Sequence, residues 1–160
     1  MTDSKRYISL TIIVAASFLA GYAFNTTVVT YQAKKMKKVT GIGGIFFKCH
    51  NPKAINEWYK KHLGFDTTPY GTTFEWRDAE NSAQKGLTQW NPFPADTQYF
   101  APSDKDFMIN YRVQNLEALV ADLKKENVTI VDQIETFDYG KFVHILDPEG
   151  NKIQLWEPAE

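Results

Sequence analysis

The chain has 160 residues, 43% hydrophobic and 14% aromatic, with a formal net charge of −1. That is the composition of a folded globular domain, not of a disordered chain, and the near-neutral balance supplies no basic field for nucleic acid. The single cysteine, Cys49, excludes an intramolecular disulfide and any CxxC zinc site.

Lys5 and Arg6 precede an uncharged run from Tyr7 to Ala33, most apolar up to Phe24. At about 1.5 Å per residue, residues 7–24 just cross a hydrocarbon core of about 30 Å. They are expected to form a hydrophobic helix, with residues 1–24 as a membrane anchor and the domain outside the cytoplasm. The alternative is a signal peptide. Gly21-Tyr22-Ala23 puts small residues where a signal peptidase cuts, and the product would then be secreted or periplasmic. Lys5 and Arg6 favour an N-terminus inside, whereas Lys34, Lys35, Lys37 and Lys38 pull the other way. Residues 25–38 read as a polar, then basic, linker, and the folded domain is expected over 39–160.

"TGIGGIFFKC" reads as a strand. Asn51-Pro52 then starts a helix, an N-cap followed by proline at the first helical position. Ile55, Trp58, Tyr59 and Leu63 keep a helical period, and Gly64 can cap its end. Three strand-like runs follow at 65–70, 72–77 and 86–90. The connector "NPFPADTQYFAPSD" is too rich in proline for a central strand. The order then repeats: "FMINYRV" as a strand, Asn115 capping a helix with Leu116, Leu119, Val120 and Leu123, and strands in "VTIVDQIETF", "KFVHILD" and "NKIQLW". "FEWRD" answers "VHILD", and "GLTQWNP" answers "KIQLWEP". Two βαβββ units thus account for residues from about 40 to 158. They form an α+β domain whose sheet curls around a shared cleft, and the cleft is the default site.

The paired units, "NPKAINEWYKKHLGF", "VQNLEALVADLKKENV" and the ending "DPEGNKIQLWEP" resemble the vicinal oxygen chelate superfamily, which includes glyoxalase I, extradiol dioxygenases and bleomycin and fosfomycin resistance proteins. The resemblance covers residues 39–158. It implies the fold, and a divalent metal held from the first and last strands of each unit by His, Gln or Glu. The matching positions here are Gly44, Thr88, Met108 and Gln154. Glycine offers no ligand, methionine suits copper(I), and threonine is a poor neutral ligand. Only Gln154 can serve, so no cofactor is expected and a divalent metal is disfavoured.

Strand alternation from these positions puts Phe46, Lys48, Trp90, Asn110, Arg112 and Trp156 on the cleft face with Thr88, Met108 and Gln154. Aromatics, two cations and amides suit a flat or partly anionic organic molecule. Cys49 and His50 point apart on a strand and make no nucleophile–base pair. His144 and Glu75 occupy matching strands and are the weak candidates for an acid–base pair. The expectation is a membrane-tethered domain binding a small organic molecule. The alternatives are a metal-dependent lyase or dioxygenase of the glyoxalase/extradiol dioxygenase type, and an interaction module, for which the proline-rich connector permits a homodimer.

Overall fold

The computed structural model describes residues 38–79 and 81–159. The expected hydrophobic helix and the linker up to Lys37 lie outside the described residues. Among the described residues no helix is long and apolar enough to cross a membrane.

The elements in chain order are β1 (Val39–Cys49), α1 (Pro52–Leu63), β2 (Thr72–Arg77), β3 (Lys85–Pro94), β4 (Phe107–Val113), α2 (Leu116–Lys125), β5 (Glu135–Phe137), β6 (Gly140–Leu146) and β7 (Lys152–Pro158). The strands form one mixed, open sheet of seven in the order β2-β3-β1-β4-β7-β6-β5. β1 and β4 pair antiparallel at its centre. Each also pairs in parallel with the last strand of its own unit, β1 with β3 and β4 with β7. The duplication seen in the sequence is therefore real as topology.

Both helices begin as their sequences dictate. The Asn51 carboxamide accepts the Ala54 N–H at 3.0 Å, and Gly64 ends α1 at φ 70° with its N–H bonded to the Tyr59 carbonyl. The Asn115 carboxamide accepts the Ala118 N–H at 3.3 Å. α2 buries Leu116, Leu119 and Val120 against Val113, Val143, Ile145 and Leu155. α1 buries only Asn56 fully. It lays Tyr59 against Phe65 and Trp90, with ring centroids 5.1 and 4.6 Å apart.

Two expected strands are corrected. Residues 65–70 form a loop closed by the Thr68–Gly71 bridge. Pro69 has no N–H to give a ladder, and Gly71 turns at φ 90°. Within 128–137 only Glu135–Phe137 is strand. Thr129 and Val131 bond the β6 backbone at Leu146 and His144, and the chain then leaves the ladder at Asp132. The units are therefore βαββ and βαβββ.

Candidate functional site

Because Val143, Ile145 and Leu155 point to α2, alternation turns Phe142, His144 and Gln154 to the opposite face. A cavity of about 580 Å³ opens on that face. Its aromatic lining is Phe46, Phe93, Tyr99, Phe137, Tyr139 and Phe142, and its polar lining is Tyr70, Gln89, Asn91, Glu135 and Gln154. Both units and the connector contribute. Tyr99 stacks on Phe93 with ring planes 3° apart. On the other side Phe137 stacks on Tyr139, and Phe142 stacks on Trp156.

A chain of polar groups, buried at its centre and exposed at its two ends, Asp132 and Tyr99, adjoins this cavity. The Asp132 carboxylate holds His144 twice, accepting its backbone N–H at 2.8 Å and facing its ring Nδ1 at 2.6 Å. His144 Nε2 lies 3.0 Å from the Gln154 amide nitrogen. The same nitrogen donates to the Tyr99 hydroxyl at 2.6 Å, and Gln154 Oε1 accepts from Asn110 Nδ2 at 2.6 Å. His144 is 5% exposed, Gln154 5% and Asn110 2%. Burial pushes the His144 pKa down, against the opposing pull of Asp132. Burial thus disfavours the imidazolium.

Some of the residues expected on the cleft face come together here. Phe46 and Gln154 line the cavity. Asn110 braces Gln154, and Met108 lies fully buried against Phe46 and Phe100. Thr88 and Trp90 do not reach the cavity. Gly44 pairs with Gln89, not with Thr88, and a shift of one exchanges the two faces of a strand. Trp90 packs among Phe47, Tyr59 and Phe65, while Thr88 bonds Trp76 Nε1 and the Ile42 carbonyl. Gln89, Asn91 and Phe93 take the cavity face instead.

Lys48 sits 4.0 Å from Asp106 and over the Phe100 ring. Arg112 lies between Trp76 and Trp156, 5.6 and 5.4 Å from their ring centres. Burial holds its guanidinium below the usual range. Glu75 is exposed on the edge strand β2 and pairs with Arg77 and Lys85, so it and His144 do not form a pair. Tyr99, Asp132 and Phe142 were missed. Tyr99 lay in a segment read only as a connector. Asp132 carried a signal, a lone carboxylate inside an apolar run.

The positions implied for a metal hold a poor donor set. The Phe46 ring covers Gly44, where a β-carbon would lie 2.7 Å from it. Met108 is sealed in the core. The nearby amides of Gln89 and Gln154 already bond Thr73 and Tyr70, and Asn110, His144 and Tyr99, respectively. Among the described residues no three His, Cys, Asp or Glu side chains gather as a metal site. With glycine and a buried methionine at two of the positions and the nearby amides already engaged, these residues do not fit a divalent ion.

The chain resembles solved structures over most of its folded part. Methylmalonyl-CoA epimerase from Streptomyces coelicolor, in complex with 2-nitronate-propionyl-CoA, matches with a TM-score of 0.56 at 17% identity, over 76% of this chain and 99% of that one. The epimerase from Mycobacterium tuberculosis matches with a TM-score of 0.52 at 19% identity, over 80% and 96%. At these identities the likeness is one of fold. No curated protein matches the sequence. The Glyoxalase/Bleomycin resistance protein/Dioxygenase pattern matches residues 41–155, and the chain belongs to that superfamily.

Proposed function

We propose that this domain binds a small, flat organic molecule in the aromatic cavity, without a resident metal, and that residues 7–24 tether it to a membrane. The observation that carries the reading is the hydrogen-bonded chain from Asp132 through the buried His144 and Gln154, which ends at Tyr99 in a cavity walled by rings. Aromatic walls supply stacking area, and a few fixed polar groups supply orientation.

The same geometry favours binding over proton transfer by His144. Nδ1 faces Asp132 and Nε2 faces Gln154. A general base must reach the proton it takes, and this imidazole has both nitrogens engaged. His144 is a positioning residue. The partly anionic ligand expected from Lys48 and Arg112 gives way to a neutral or cationic one, because among the described residues Glu135 is the only charged one lining the cavity.

The test is calorimetry of the full chain against planar aromatic and aliphatic metabolites, together with metal analysis of protein purified without chelator. Saturable binding of planar compounds by metal-free protein is expected. Stoichiometric metal, or binding that appears only on adding one, would return the protein to the lyase and dioxygenase class.

A further inference from the structure

The hydrogen-bonded chain has a direction, and the direction can be read from valence. A carboxylate only accepts hydrogen bonds, so His144 carries its proton on Nδ1, facing Asp132 at 2.6 Å. Nε2 then has a lone pair, and the Gln154 amide nitrogen, which only donates, fills it. That amide has a second N–H, which goes to the Tyr99 hydroxyl oxygen. Its own oxygen is taken by Asn110. Every group from Asp132 to Tyr99 is thus fixed as donor or acceptor. Tyr99 receives a hydrogen bond, which leaves its own hydrogen to donate.

Resting on the cavity reading above, we propose that the Tyr99 phenol is the ligand-selecting donor of this site. The cavity then takes a planar aromatic molecule bearing a carbonyl oxygen, such as an aryl ketone, aldehyde or amide. Tyr99 lines the cavity and is 40% exposed. Its position is set from three sides. The ring stacks on Phe93, the hydroxyl is held by Gln154, and Lys152 donates to its main-chain carbonyl at 2.7 Å. A donor held in place before binding loses little freedom when the ligand arrives. Burial also raises the phenol pKa, so the proton stays on at neutral pH. A carboxylate ligand is disfavoured by Glu135, which also lines the cavity.

The probes are acetophenone and its carbonyl-free isostere α-methylstyrene, titrated calorimetrically into the full chain with a detergent blank. Wild type is expected to bind acetophenone about five- to tenfold more tightly, the effect of one neutral hydrogen bond. Tyr99→Phe is expected to bring that ratio to about one. Asp132→Asn, which no longer fixes the His144 tautomer, is expected to lower the ratio partway. Equal affinities in wild type, or a ratio retained in Tyr99→Phe, overturn the role of Tyr99 and leave the aromatic cavity standing. If neither probe binds wild type, the cavity reading falls and this inference with it. If Tyr99→Phe fails to fold, Asp132→Asn decides, because an unchanged ratio there overturns the proposal.

Discussion

The two halves of the sheet share a topology and differ in how they are filled. Under α2 the core is aliphatic and sealed, with Leu116 at 0% exposure and Val143 at 1%. Under α1 it is a cluster of rings, Tyr59, Phe65, Phe74 and Trp90, with Phe74 still 44% exposed. The inner faces differ too. The second half carries the wired histidine, while the first presents Phe46, Phe93 and amides. A duplicated backbone evidently constrains the register of its strands far more than the chemistry of its two sides. The sealed half holds the groups whose geometry must be fixed, and the looser half supplies surface.

That contrast can be broken most directly in the cores. Leu119→Ala in α2 is expected to cost about 3 kcal/mol, as buried leucine truncations do, whereas Ile55→Ala in half-buried α1 is expected to cost about 1 kcal/mol. Urea unfolding of both variants measures the difference, and equal losses would erase it. The next effect lies at the wired histidine. The His144 pKa is lowered in the folded state from its ordinary 6.5, chiefly by burial. The unfolded chain therefore takes up this proton first as pH falls. Stability should be independent of this group above pH 6.5 and should decline below it, by at most about 1.4 kcal/mol per pH unit. His144→Leu should flatten that limb of the pH–stability curve, and an unchanged slope would place the titration at other groups. The smallest effect separates the two caps. Asn51 sits at φ −139° and Asn115 at φ 52°. Replacement by alanine should cost about 1 kcal/mol at Asn51 and about 1 kcal/mol more at Asn115, where the left-handed backbone adds strain. Glycine should restore most of the excess at Asn115, and thermal melts would show whether it does.

Local chemistry was legible in the sequence, and distant partners were not. Asn51-Pro52 and Gly64 announce α1 because capping is decided within a few residues. The Asp147–Asn151 turn is equally local: the Asp147 carboxylate accepts the backbone N–H groups of Glu149 and Asn151, each at 2.9 Å. The face of β3 was misread because its register is set by pairing with β1, more than forty residues away. One residue of slip traded Thr88 and Trp90 for Gln89 and Asn91. Residues 65–70 have the composition of a strand but no neighbour to pair with beyond their own turn. Gln154 was identified, but Asp132 and Tyr99, the two ends of its network, lie in segments whose shape depends on contacts across the sheet. At Gly43 the Asn110 carboxamide and the Trp156 ring pack where a β-carbon would stand, another contact made from across the sheet.

The ends of the sheet have a consequence for the protein in concentrated solution. β5, at one edge, is three residues long, and β2, at the other, carries the exposed Glu75 and Arg77. A short strand offers an incoming chain few free backbone groups, and charges along an edge resist desolvation. Neither margin templates another strand well. A seven-stranded open sheet is thereby kept from growing by edge-to-edge addition, and its rings are left to face the cavity.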